Sequence, residues 1–390
     1  MEFDRDIGRR GTDCTKWDQL QTYTGVDPEY GLAMWVADSD FATAPCVIEV
    51  LRKKVEHGAF GYGFDEAGYR RALTWWMEHR HGWQVDPDWI VTTQGLGHAI
   101  ATVFDTWTGT GDGVCFFTPV YHEFRLKTER AERRPYEIPM RLVNGRYVLD
   151  FDVAGQVIDE TVKVLIFCAP QNPSGRVWTA EEMRAVAAFC EKHDLILISD
   201  EVHADLVYPG ARHIPMDVAA PEFRHRTITL NAASKTFNLP GFRTGQAYIP
   251  DPVRRAAFQH RLRMLDYTPG SLGIAATATA CSPAGAEWVE AQVDYLGGNR
   301  AVFDAGVNAI PGVWSMPLQA TYLAWVDFSG TGMTQEEINR RIRNQARIGV
   351  NHGPSFGVGG AQFSRFNLAM PRHQIKDAVA RMQSAFADLQ

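Results

Sequence analysis

The chain has 390 residues, 45% of them hydrophobic and 22% charged, and carries a net charge of −7. That composition belongs to an ordinary globular protein and excludes a low-complexity or disordered chain. No basic run offers a nucleic-acid or membrane surface, and no segment of 18 consecutive apolar residues offers a spanning helix.

From the N-terminus, the opening MEFDRDIGRR is charged and lacks the apolar stretch of a secretory signal. The six cysteines (Cys14, Cys46, Cys115, Cys168, Cys190, Cys281) are scattered, with no C-x-x-C spacing. The expectation is buried reduced thiols, no metal site and a cytoplasmic protein. Residues 1–48 are rich in turns and aromatics. WIVTTQG (89–95) and DGVCFFTP (112–119) predict strands, with Gly95-Leu96-Gly97 opening a helical stretch between them. VKVLIFCAP (162–170), LILISD (195–200) and TITLN (227–231) predict three more. TAEEMRAVAAFCEKHD (179–194) predicts a helix with a capping box from Thr179 to Glu182. Short apolar strands joined by a helix of this length make a βαβ unit and a parallel sheet. The length suits two domains, and the expectation is a large α/β domain over 49–285. From 286 to 390, helical QEEINRRIRNQAR (335–347) alternates with strand-like TYLAWVDF (321–328) and FSRFNLAM (363–370). That predicts a smaller α+β domain, joined by part of 1–48.

Ligands of an open parallel sheet sit at the carboxyl ends of its strands. Just past the apolar runs stand Gly95-Leu96-Gly97, Tyr121, Asn172-Pro173-Ser174-Gly175, Asp200-Glu201-Val202-His203 and Lys235. Lys235 lies in NAASKTFNLPGFRTG (231–245), whose Asn, Ser, Pro and Gly predict a loop, with Arg243 eight positions later. A helix N-terminus behind glycines suits a phosphate, and Ser234 and Arg243 could close the same cup. A lysine beside it can form a Schiff base, a buried carboxylate can hold a ring nitrogen protonated, and an aromatic plate can stack on the ring. One ligand with an aldehyde, a phosphate, a pyridine nitrogen and a flat ring is pyridoxal 5'-phosphate.

With those residues in place, the chain resembles the fold-type I pyridoxal-phosphate enzymes of the aspartate-aminotransferase superfamily over nearly its whole length. Asn172-Pro173-x-Gly175, Asp200-Glu201, Ser234-Lys235 and Arg243 follow that superfamily's order. Within it, FDRDIGRRGTDCTKWDQL (3–20), MWVADSDF (34–41), VEHGAFGYGF (55–64), TPVYHEF (118–124), DEVHADL (200–206) and SKTFNLPG (234–241) are similar to the cystathionine β-lyase (MalY/PatB) branch. The resemblance implies a mostly parallel seven-stranded sheet flanked by helices, plus the smaller α+β domain. It implies Lys235 as the catalytic lysine, and Gly95, Leu96, Ser234 and Arg243 around the phosphate. It further implies Tyr121 stacked on the ring, Asn172 on its phenolic oxygen, and Asp200, near His203, on its nitrogen. Arg365 would grip the α-carboxylate of an amino-acid substrate, near Tyr121 and Asn172, with Trp35 as a further candidate wall. Tyr62 would reach the phosphate of a neighbouring subunit, which implies a homodimer with shared sites.

The implied reaction is β-elimination from L-cystathionine or a cysteine S-conjugate, giving thiol, pyruvate and ammonia. Arg243 stands where aminotransferases carry an arginine, so an aminotransferase of broad or aromatic amino acids is the alternative. A third reading is a regulatory protein that keeps the fold and binds a partner. No appended DNA-binding domain is expected, since the enzyme-like pattern begins near residue 3.

Overall fold

The apolar runs of the middle region become strands of one sheet in the computed structural model, which describes residues 1–389. These strands are β1 (Ile90–Thr93), β2 (Gly113–Thr118), β3 (Arg134–Pro139), β4 (Val162–Cys168), β5 (Ile196–Asp200), β6 (Thr227–Asn231) and β7 (Gly245–Tyr248). Their order across the sheet is β1-β7-β6-β5-β4-β2-β3. All neighbours are parallel except β7, which runs antiparallel to both β1 and β6. This is the fold-type I architecture expected from the resemblance.

Burial on both faces explains the continuous apolar runs. All six residues of β2 are buried. Val114 and Phe116 pack with Ile198, Ile228 and Leu230 on one face, and Cys115 and Phe117 with Leu165, Phe167 and Leu197 on the other. Helix α1 (Leu96–Trp107) covers the first face through Ala99, Val103 and Phe104. Helix α3 (Ala180–Lys192) covers the second through Met183, Val186 and Cys190, and α2 (Glu123–Arg130) lies between them in sequence. The Thr179 hydroxyl accepts from the Glu182 N–H at 3.2 Å and Glu182 accepts from the Thr179 N–H at 2.9 Å, the expected capping box. A cap of this kind contributes about 1 kcal/mol.

Two strands carry no apolar run. β3 is an edge strand in which Ile138 alone is buried, and β7 offers only Gly-Gln-Ala-Tyr. The stretch 231–245 is not wholly the loop its composition suggests. Ala233–Thr236 forms a one-turn helix, α4, closed by the Phe237 N–H donating to the Ala233 carbonyl at 2.9 Å. Ser and Thr tolerate a single turn where neighbouring packing supplies the rest of the stability.

A second, antiparallel sheet has the order Trp314–Ser315, Leu323–Asp327, Phe363–Asn367, Asn351–His352. In chain order these strands are β8, β9, β11 and β10. Arg365 lies in central β11, opposite Trp325 of β9 and Asn351 of β10. A two-residue parallel pairing of Leu32–Ala33 with Ile348–Gly349 brings the N-terminal segment alongside.

Candidate functional site

The carboxyl edge of the large sheet gathers side chains from five connections. β1 leads through Gly95 into α1, β2 into Tyr121, β4 into Asn172, β5 ends on Asp200, and β6 leads into Ser234 and Lys235. Arg243 reaches the same edge from the opposite direction. Antiparallel β7 begins there, with Gly245 paired to Thr93, the last residue of β1. Arg243 itself adopts φ 49, a left-handed conformation unusual for a residue with a Cβ. These groups line one cleft of about 330 Å³, together with His122, Lys127 and His203.

The α4 turn is held from both sides. Lys235 Nζ donates to the Ala37 carbonyl at 2.7 Å, and Tyr322 Oη donates to the same carbonyl at 3.1 Å. Asn238 donates to the Ser39 and Phe41 carbonyls at 2.9 and 3.0 Å, and its own carbonyl accepts from the Ser39 N–H at 3.1 Å. Behind the turn, buried Asp205 accepts from Thr236 Oγ1, Trp76 Nε1 and His81 Nε2, each at 3.0 Å. Ala37 precedes Asp38 and Asp40, which anchor Arg9 at 2.7 and 2.9 Å, while Asp40 also binds fully buried Lys16 at 2.9 Å.

Burial lowers the Lys235 ammonium to about 8, with Arg365 adding to the effect against Asp38 and Asp200. A share of the free amine is thus present near neutrality. Burial raises Asp200 to about 6, and its one hydrogen bond is from the Val202 N–H at 3.2 Å. His203 is pushed down to about 3 by burial and by Lys235 and Arg365, so its ring is neutral. Burial raises Tyr121 to about 12, keeping its phenol protonated.

Arg365 is 2% exposed, yet the three acceptors of its guanidinium are uncharged. They are Asn172 Oδ1 at 2.9 Å, the Trp35 carbonyl at 2.8 Å and Asn351 Oδ1 at 2.7 Å. Its Nε has no partner. Burial lowers this guanidinium to about 10, still cationic near neutrality. A buried cation without a counter-ion is costly, and a ligand carboxylate would complete it.

Gly95, Leu96, Tyr121, Asn172, Asp200, His203, Ser234, Lys235 and Arg243 therefore meet in one cleft, with Arg365 bonded to its wall. Trp35 takes part through its carbonyl, whereas its ring stacks on Tyr23 at 5.0 Å and its indole N–H donates to Lys16. Tyr62 is fully exposed and is not part of the cleft lining of its own chain. Sequence reasoning missed His122, Lys127 and Asp205. His122 and Asp205 stand inside motifs already singled out, TPVYHEF and DEVHADL, whereas nothing local distinguishes Lys127.

Pyridoxal phosphate fits these residues on three observations. The first N–H groups of α1 are free by helix geometry, and beside them a Cβ on Gly95 would meet nothing within 4 Å. Asp200 is a buried carboxylate with no ion-pair partner, an acceptor of the kind a protonated ring nitrogen needs. Lys235 is an amine with a lowered pKa in the same cleft. Among the described residues no cluster of His, Cys, Asp and Glu could hold a metal, and no helix is long and apolar enough to cross a membrane.

Comparison with known proteins agrees. The model of the family "Aminotransferase class I and II" matches residues 36–382. The chain is 32% identical to cystathionine β-lyase PatB of Bacillus subtilis (strain 168), covering 99% of this chain and 100% of that one. It is 30% identical to protein MalY of Escherichia coli (strain K12), over 99% and 98%. Its fold matches cystalysin from Treponema denticola, whose structure contains a pyridoxal 5'-phosphate cofactor. That match has a TM-score of 0.94 and 31% identity, covering 100% of this chain and 99% of that one.

Proposed function

The chain belongs to the aminotransferase class I and II family, and from that premise we propose that it is a pyridoxal-phosphate-dependent carbon–sulfur β-lyase. Its substrates are L-cystathionine or related cysteine S-conjugates, and its products a thiol, pyruvate and ammonia. The observation that carries an amino-acid substrate is Arg365, a buried guanidinium with uncharged partners beside a lysine of lowered pKa. Similarity to a cystathionine β-lyase over the full length of both chains supports the reaction.

The cofactor, when bound, supplies an aldehyde for amine exchange and a protonated ring that withdraws electrons from Cα. The cup made by the first N–H groups of α1, Ser234 and Arg243 would hold its phosphate. Asp200 would hold the ring nitrogen protonated, and Tyr121 would cover the ring face. Arg365 binds the α-carboxylate and so fixes which Cα bond faces Lys235. The Lys235 amine then takes the α-proton; its ammonium, at about 8, gives up a proton readily near neutral pH. Departure of the Cβ sulfur as thiolate completes the elimination.

An aminotransferase is the second reading, favoured by Arg243 at the cleft and by the family's name. The two separate in one experiment. Cofactor-loaded protein is mixed with L-cystathionine, without a keto acid, and pyruvate and free thiol are followed. Sustained release of both over many turnovers establishes elimination. Turnover only after a keto-acid acceptor is added overturns it in favour of transamination.

The division into 1–48, 49–285 and 286–390 belongs to the same proposal, supported by the separation of the two sheets along the chain. So does a homodimer in which Tyr62 completes the neighbouring site, supported by the full exposure of that tyrosine and the 60% exposure of nearby Phe60. A cytoplasmic setting is supported by six free cysteines, five of them buried.

A further inference from the structure

The cleft contains two imidazole rings that the scheme above leaves idle, His122 and His203. His122 follows Tyr121 and lines the same cavity. Its ring meets Phe356 edge-on, with centroids 5.8 Å apart, and the Arg365 guanidinium lies 5.0 Å from that same phenyl ring. His122 thus stands on the side of the cleft where the substrate carboxylate is anchored. Its Nδ1 is buried without a hydrogen-bond partner. Buried polar atoms are nearly always paired, so a lone one on a ring that lines a ligand cleft is free for a contact with the ligand.

Resting on the lyase reading, we propose that His122 is a specificity-determining residue that donates a hydrogen bond to the substrate's departing sulfur. With the carboxylate on Arg365 and the α-hydrogen toward Lys235, the side chain has to leave Cα toward a wall the cofactor does not use. Tyr121, Asp200, Asn172, Ser234 and Arg243 are already engaged; of the two imidazoles in the lining, His203 packs edge-on against Tyr322, whereas His122 shares the Phe356 ring with Arg365. Burial, then Arg365, lowers the ring to about 4, so it is neutral at physiological pH. A neutral imidazole carries one N–H and holds it in place. In the step itself the Cα–H bond breaks and its proton passes to Lys235. The Cα electron pair forms the Cα=Cβ bond, and the Cβ–S pair leaves on sulfur as a thiolate. The thiolate accepts the His122 hydrogen bond and later takes its proton from water, with no net oxidation or reduction. The hydrogen bond strengthens as charge grows on sulfur, so it lowers the barrier and favours thiolate-leaving substrates.

The test uses the cofactor-loaded enzyme and two substrates. L-Cystathionine expels a thiolate, whereas β-chloro-L-alanine expels chloride, which gains little from a donor. His122→Phe is expected to lower kcat for cystathionine about ten- to hundredfold, the range for a hydrogen bond to a charged group. Its kcat for β-chloroalanine should stay within about twofold, and His122→Gln, which keeps an N–H donor, should recover part of the cystathionine rate. The melting temperature and cofactor dissociation constant of both variants should match the parent. Equal losses on both substrates, or no loss on either, would overturn the assignment. Failure of the unaltered enzyme to release pyruvate from either substrate would instead remove the lyase reading beneath it.

Discussion

Asp200 and Asp205 lie five positions apart, both buried, and they behave in opposite ways. Asp205 faces the back of the α4 turn. Burial alone would raise its pKa, but hydrogen bonds and charge from His81, with Arg80 and Thr236, hold it below the usual carboxylate value. Asp200 faces the cleft, keeps one backbone donor, and burial raises it to about 6. The contrast extends to their surroundings. Behind the lysine, Thr236, Trp76 and His81 are all matched to Asp205; in front, Arg365 Nε and the Nδ1 atoms of His122 and His203 have no partner. Polar groups behind the turn are satisfied within the fold, whereas those in front keep unpaired atoms for what binds.

The sharpest way to break this comparison is to remove the residue on its boundary. Lys235→Ala should abolish the cofactor's characteristic absorbance and lower turnover about 10⁴-fold, at the upper end for loss of a general base. Near-normal turnover in that variant would remove the assignment.

The back should then show itself in stability. Asp205→Ala leaves three buried donors unmatched and should cost about 3–5 kcal/mol in urea unfolding of the cofactor-free protein. A loss below about 1 kcal/mol would show that the matched network contributes little.

The front should show the reverse sign. Asp200→Asn in cofactor-free protein should stabilise the fold by about 2–3 kcal/mol at pH 7 while weakening catalysis. The folded carboxyl titrates about 6 against 3.8 unfolded, so the folded state binds its proton more tightly. The penalty in the parent is absent below 3.8, grows as pH rises through 6, and is constant above. Melting curves of parent and variant should therefore diverge between those values, and parallel curves would contradict the raised pKa. Arg365→Lys keeps the charge but loses the fork, and should lower kcat/KM about 10²-fold with the cofactor still bound.

The smallest effect concerns Lys235 itself. With its ammonium at about 8, cofactor-free protein should capture pyridoxal phosphate about tenfold faster at pH 9 than at pH 7, following the free-amine fraction. A rate still climbing steeply beyond pH 9 would place the lysine nearer its ordinary value.

Much of the front was legible in the sequence because each of its residues follows a buried apolar run. Asp200, Asn172, Tyr121 and Lys235 are announced by the strands that precede them. β7 was not legible, since four residues with one small apolar side chain do not distinguish a strand from a turn. Without β7, the route that returns Arg243 to the edge stays hidden. The α4 turn was masked by Ser, Asn and Pro, whose local preference for loops is overridden by the Asn238 and Asp205 contacts. The back of the turn was illegible for a different reason. Trp76 and His81 reach Asp205 across 129 and 124 positions, and no local pattern announces pairs that distant.

The hydrogen bonds that complete the cleft also set an order of events during synthesis. Lys235 meets an acceptor made 198 positions earlier, while Arg365 meets Trp35 across 330. When β7 has been made, the chain contains Gly95, Ser234, Lys235 and Arg243 but not yet Arg365. Synthesis thus delivers the lysine well before the guanidinium, and the last strand to leave the ribosome completes the cleft.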